Sequence, residues 1–164
     1  MARILIVRGI AGRFLPLRNS LQDYHELYFA HNIADAIEIL FEEEIDLIIC
    51  NVYDETTDAF LLLNLVKGDP LLSGIPVLFF AMERTLLASA LDATVARSAL
   101  LCGADKYLTM DLFCVARAQI DACKKCPYLG QPCVSNDLRF AIEDMLEPKF
   151  IAQLSIKEAV RLAG

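Results

Sequence analysis

The residues of this 164-residue chain best suited to chemistry are six cysteines, and three of them fall close together. Cys123, Cys126 and Cys133 follow the spacing Cys-x2-Cys-x6-Cys around the loop CPYLGQPC, which holds two prolines and one glycine. Cys123 and Cys126 are three apart, on one face if a helix persists there, and the loop can return Cys133 to them. Three such thiolates are ligands for Zn²⁺ or for an iron–sulfur cluster. A reversible thiol switch, or reduced and partly buried thiols at a coincidental spacing, are the other readings of the same triplet. Cys114 lies nine residues before Cys123, about 13 Å along an unbroken helix, which is too far to share the site. Cys50 and Cys114 read as core residues.

Other motifs carry less. The stretch RGIAGR, residues 8–13, has two glycines, but neither a dinucleotide fingerprint nor a P-loop pattern with its lysine is present, so it reads as a turn. His25 and His31 have no acid or nucleophile at motif spacing and read as ordinary surface or edge residues.

The elements that must position these residues come from a chain of 56% apolar and 23% charged residues. That composition excludes a disordered or linker protein and predicts a real core. The longest apolar runs fall far short of the roughly 18 residues a membrane-spanning helix needs. The N-terminus MARILIVRG reads as a strand rather than a leader, because Arg8 interrupts it and no small-residue cleavage site follows. A cytoplasmic protein with reduced thiols is the expectation. Net charge is −7; residues 1–112 carry −8 and residues 113–164 carry +1. No basic footprint for nucleic acid appears, and no membrane partner is expected.

Apolar, β-branched runs alternate with helical-period segments up to residue 125, the pattern of a parallel sheet covered on both faces. The predicted strands are Arg3–Arg8, Glu26–Ala30, Ile45–Asn51, Ile75–Ala81 and Asp105–Thr109, the first, third and fourth fully buried. Helices are predicted from near Pro16, over Ile33–Glu43, Asp58–Lys67 and Glu83–Leu101, and from Asp111 to Lys125. Asn32 is the N-cap candidate of the second, whose apolar stripe is Ile33, Ala36, Ile37, Leu40 and Phe41. Gly103 closes the fourth. A boundary after residue 125 separates an α/β domain, 1–125, from a Cys/Pro loop and helical extension, 126–164. The extension contains an amphipathic helix at Ser135–Leu146, ended by Pro148, and a short last helix, Ile156–Ala163. The amphipathic helix either covers the domain's own apolar surface or docks on a second chain.

The order of these elements, with RILIVRG, EIDLIICNVYDETTDAF, IPVLFF and CGADKYLTM at their places, resembles the CheY-like receiver domain of two-component response regulators. The resemblance covers residues 2 to about 125. It implies a flavodoxin-like three-layer αβα fold with a five-stranded parallel sheet of order 2-1-3-4-5. Receivers hold Mg²⁺ on an acidic pair after the first strand. They phosphorylate an Asp ending the third strand, and carry a Ser/Thr after the fourth and a Lys after the fifth. At those positions this chain has Arg8 and Gly9, Asn51, Ala81 and Met110, with Asp111 in place of the usual Pro.

The consequences follow from the side chains. An arginine repels Mg²⁺ where a carboxylate would bind it. An amide cannot ionise and is a poor nucleophile toward phosphorus. Alanine and methionine remove the hydroxyl and ammonium that would hold a phosphoryl group. Asp54 and Asp58, in the loop after Asn51, are alternative acceptors or cation ligands, and otherwise solvated loop acids. Arg8 is placed to donate to the Asn51 amide oxygen or to a nearby acid. In a receiver-like fold Cys102 would lie at the same end of the sheet as Cys123 and Cys126, making it the fourth-ligand candidate.

The expectation is a phosphorylation-incompetent signalling module, not an enzyme, acting through protein partners. A homodimer through the face of helix 83–101, the fifth strand and helix 111–125, or through the C-terminal helix, is a further expectation. A Zn²⁺, iron–sulfur or thiol-redox sensor built on the C-terminal cysteines is the alternative.

Overall fold

The computed structural model describes residues 1–7, 21–53, 58–81, 86–109, 141–147, 160, 161 and 163. Five strands form one sheet: β1 (Arg3–Val7), β2 (Glu26–Ala30), β3 (Leu47–Asn51), β4 (Val77–Ala81) and β5 (Lys106–Thr109). Their order is β2-β1-β3-β4-β5 and every pairing is parallel. This is the flavodoxin-like topology that the resemblance implied. The longer helices among the described residues are α1 (Ile33–Glu42), α2 (Ala59–Gly68), α3 (Leu86–Leu101) and α4 (141–147).

The period-2 alternation of strand side chains divides the core in two. Leu5, Val7, Ile48, Cys50, Val77 and Phe79 face the layer built from α1, α2 and α3, where Ala36, Leu40, Leu62, Leu63, Val66 and Ala99 are buried. Phe60 of α2 meets Phe79 edge-on, with ring centroids 5.7 Å apart. Ile4, Ile6, Leu47, Ile49, Leu78 and Phe80 face the other way, against Leu21 and against Ile142 and Leu146 of α4. Each fully buried aliphatic side chain contributes about 1.5–3 kcal/mol, so both faces are driven by the same residue types. The runs RILIV, LIICN and VLFFA are almost wholly buried because both faces are covered.

Of the two alternatives for the C-terminal helix, covering the domain's own sheet is the one observed over 141–147. Lys106 of β5 also pairs with Asp144 of α4 at 3.1 Å. Residues 110–140, which include the predicted helix Asp111–Lys125 and the proposed boundary, lie outside the described residues, as do residues 16–20 of the helix predicted from Pro16; Leu21 at its end is described and fully buried.

Local signals set the ends. Asn32 has extended backbone and its Oδ1 accepts the Asp35 N–H at 2.8 Å, capping α1 as expected. Asp58 caps α2, its Oδ1 accepting the Leu61 N–H at 3.0 Å. Gly103, at φ +107°, ends α3: the Ala104 N–H returns to Ala99 O at 3.0 Å and the Gly103 N–H to Leu100 O at 3.2 Å. That pair of bonds is the Schellman arrangement, which favours glycine.

Two sequence expectations shift. The third, fourth and fifth strands start one or two residues later than predicted: Asp46 and Asp105 use their carboxylates to cap neighbouring strands, and Pro76 has no N–H to donate. Phe41, expected inside the α1 stripe, is 59% exposed. α1 lies over β2 and β1 at the edge of the sheet, so the rim of its stripe passes the last strand; Ile33, Ala36, Ile37 and Leu40 pack as expected, and Ile39 joins them.

Candidate functional site

Parallel strands deliver their carboxyl ends to one side of the sheet, which is where ligands of such folds bind. Here the register aligns Val7 with Cys50, Asn51 with Phe80, and Ala81 with Thr109, so β1, β3, β4 and β5 end together. Of the five expected pocket positions, Asn51 and Ala81 are described and do sit at this rim. Arg8, Gly9 and Met110 lie outside the described residues.

Asn51 is the last residue of β3 and the one buried polar side chain among the described residues, at 9% exposure. Its Oδ1 accepts the N–H of Tyr53 at 3.2 Å, an Asx turn that bends the chain out of the strand. Val52 N–H continues to Phe80 O at 2.9 Å. Ala81 is 1% exposed and presents only a methyl group. The Cys50 thiol is buried and directed at Asn51 O, 3.7 Å away. This described part of the rim accepts and donates hydrogen bonds but offers no carboxylate, and its one thiol, Cys50, is buried.

A second cluster adjoins it. The Tyr107 hydroxyl of β5 donates to Asp92 Oδ1 of α3 at 2.7 Å, and the Tyr53 hydroxyl reaches the same oxygen at 3.4 Å. Burial pushes the Tyr107 phenol well above its ordinary value, and hydrogen bonds to Asp92 and Tyr53 push it further. Burial also raises Tyr53; a hydrogen bond with Tyr107 opposes this and the Asp92 charge adds to it. Sequence reasoning passed over all three residues. The signal was there in Asp92, which with Arg97 is one of only two charged residues in LLASALDATVARSALL.

Asp58 is committed to capping α2, while Asp54 lies outside the described residues. His31 is exposed and His25 partly so. Cys102 is exposed next to Gly103, at the amino end of β5 and therefore at the end of the sheet opposite Asn51. Cys114, Cys123, Cys126 and Cys133 lie outside the described residues. Among the described residues no three His, Cys, Asp or Glu side chains are grouped to hold a metal ion. No described helix is long and apolar enough to cross a membrane.

No protein-family model matches the chain, and no curated protein matches it. Solved structures do. The signal receiver domain of a signal transduction histidine kinase from Syntrophus aciditrophicus superposes with a TM-score of 0.64 at 24% identity, over 90% of this chain and 92% of that one. A response regulator receiver domain protein from Clostridium thermocellum gives 0.65 at 18% identity, over 93% and 99%. A CheY-like receiver domain protein from Methanospirillum hungatei gives 0.62 at 17%, over 93% and 98%. The chain therefore has the fold of CheY-like receiver domains.

Proposed function

We propose that this chain is a receiver-like signal-transduction module that works by protein–protein contact and neither carries a phosphoaspartate nor acts as an enzyme. The observation that carries this reading is Asn51. It ends β3 where the resemblance places the phosphoacceptor, it is almost fully buried, and its Oδ1 is already engaged by the Tyr53 N–H. An amide there supplies neither the anionic nucleophile nor the charge that would draw Mg²⁺. Ala81, at the end of β4, withholds the hydroxyl that would steady a phosphoryl group.

A place in two-component signalling fits the solved structures of the same fold, one of which is carried by a histidine kinase. Its output is a choice of conformation or partner set by something other than aspartyl phosphate.

The test is incubation with acetyl phosphate and Mg²⁺ followed by intact mass and thermal melting. Mass and melting temperature are expected to stay unchanged; covalent gain of one phosphoryl group overturns the reading and directs attention to Asp54. The spacing of Cys123, Cys126 and Cys133 supports a second reading, a metal or redox sensor. Zinc, iron and acid-labile sulfide measured per chain after anaerobic purification decide it: near-stoichiometric metal lost in Cys126→Ser makes the sensor the function.

A further inference from the structure

At the amino ends of β3 and β4, the end of the sheet opposite Asn51, the fold leaves a cleft of about 400 Å³. Its described walls come from three places: Asp46 ahead of β3, the turn between α2 and β4, and the last turn of α4. Ile75 packs on the core beneath α1, α2 and α3, whereas Met145 and Leu146 belong to the core on the other face. The cleft therefore lies at the seam where the two layers meet. Gly74 helps to keep the seam open, since even a Cβ there would meet nothing within 4 Å. Leu71, 82% exposed, holds a large apolar side chain in water at the mouth. The wall is set before anything binds: the Leu71 N–H donates to Asp69 Oδ1 at 2.8 Å, the Ile75 N–H to Leu72 O at 2.9 Å, and the Lys67 ammonium to Ile75 O at 2.9 Å. A wall that needs no ordering leaves more of the contact free energy to the ligand.

We propose that this cleft binds a small apolar amine, a ring or short hydrocarbon chain carrying one ammonium group, with Asp46 as its anionic anchor. The volume is near the lower end of those that hold small molecules, room for one ring and a short chain. Leu71, Ile75, Pro76, Met145 and Leu146 offer the apolar surface, and the unbranched side chain of Met145 adapts to the shape of what enters. Asp46 is the one charged side chain among the described lining residues. Its Oδ2 takes the Arg3 N–H at 2.8 Å, which fixes the carboxylate in place, and a carboxylate accepts several donors at once. Charge selects a cation. Glu44, Asp69 and Glu147 stand within two positions of lining residues. The described basic residues at this end of the sheet face other carboxylates: Arg3 meets Glu26 and Glu43, Lys67 meets Asp105, and Lys106 meets Asp144. An anion would approach against that field and a cation with it. The site lies across the sheet from Asn51 and stands whether or not the rim accepts phosphate.

Methyl NMR of the full-length protein tests it, with phenylbutylamine as the probe, phenylbutanol as the uncharged molecule of the same skeleton, and phenylbutyrate as the anion. The amine is expected to shift the methyls of Leu71, Ile75, Met145 and Leu146 saturably, with a dissociation constant of about 1 mM or tighter, as fits a ligand of this size. Val7 and Ala81, at the carboxyl ends of their strands, should not move. The alcohol should bind at least about fivefold more weakly, because a hydrogen bond between two ions is stronger than one to a neutral donor, and the anion should not bind. Asp46→Asn keeps an oxygen for the Arg3 N–H and should bring amine and alcohol to equal affinity. Leu71→Ala, at an exposed position where folding is little affected, should weaken both about threefold through lost apolar contact. Absence of a saturable shift by about 10 mM amine overturns the proposal, as does equal affinity of amine and alcohol for the parent. Shifts that scatter over the acidic surface, vanish in salt and ignore Leu71→Ala refute it too, since they report ionic attraction without a site. If Asp46→Asn does not fold, the parent and Leu71→Ala titrations decide alone.

Discussion

Asp105 and Val77 exchange two hydrogen bonds at the amino ends of β5 and β4: the Asp105 N–H donates to Val77 O at 2.9 Å, and the Val77 N–H donates to Asp105 Oδ2 at 2.7 Å. Asp46 and Arg3 repeat the arrangement between β3 and β1, with both distances 2.8 Å. In each case an aspartate just before a strand satisfies the first N–H of its neighbour, which the ladder would otherwise leave without an acceptor. Lys67, at the end of α2, extends the first of these pairs by donating to Asp105 Oδ2 at 3.0 Å and to Ile75 O at 2.9 Å.

Asp105→Ala therefore removes the acceptor of a buried N–H and of a lysine together. A loss of about 1–3 kcal/mol is expected, read as a lower urea midpoint at constant slope. Asp46→Ala should cost a similar amount, and no change in either midpoint would show that water replaces the carboxylate without penalty.

Gly103 cannot be replaced cheaply. At φ +107° a side chain is strained, and a Cβ would sit 3.3 Å from Lys67 Cγ. Gly103→Ala is expected to lower stability by about 1–2 kcal/mol, whereas Gly68→Ala, which meets open space within α2, should be neutral or slightly stabilising. Equal effects at the two glycines would contradict the assignment of Gly103 as the helix terminator.

Ile142 is fully buried against the sheet, with Leu146 beside it. Ile142→Ala should cost about 2–4 kcal/mol through lost burial and the cavity left behind. A chain ended at residue 125 loses both side chains and uncovers Ile4, Ile6 and Phe80, so it is expected to aggregate or bind a hydrophobic dye. Cooperative unfolding of that fragment at the parental midpoint would show that α4 is dispensable.

Alkaline pH should weaken the fold through its tyrosines. The Tyr28 hydroxyl donates to Glu26 at 2.9 Å and to Glu43 at 3.2 Å, and the Glu26 bond, with burial and the two acidic charges, raises its pKa to about 12. Tyr53 and Tyr107 are raised as well, burial first among the causes. Folding thus favours the neutral phenols over the unfolded chain, where tyrosine ionises near about pH 10. Their contribution is complete below about pH 10 and is lost as pH rises through the folded values. Urea midpoints should be flat between about pH 8 and 9 and fall above about 10; a midpoint that climbs there would contradict the bonded phenols.

The sequence alone determined where the strands lie and how two helices end, because those features depend on neighbours a few positions away. LIIC and VLFF announce two-sided burial, Asn32 stands three residues before the N–H it caps, and Gly103 follows an apolar helix. Strand order was legible only by resemblance, and the Asn51 and Ala81 positions came from the same source. What required the tertiary structure were contacts between residues far apart in sequence. Asp92 meets Tyr53 across 39 positions, and whether an acid on a helix is solvated or shared by two hydroxyls depends on which strand and which turn pack beside it. Likewise the amphipathic period around Ile142 says that one face must be covered without saying by what. That was decided by the geometry of the sheet, whose second face presents Ile4, Ile6, Leu78 and Phe80 and needed an apolar helix to keep them from water.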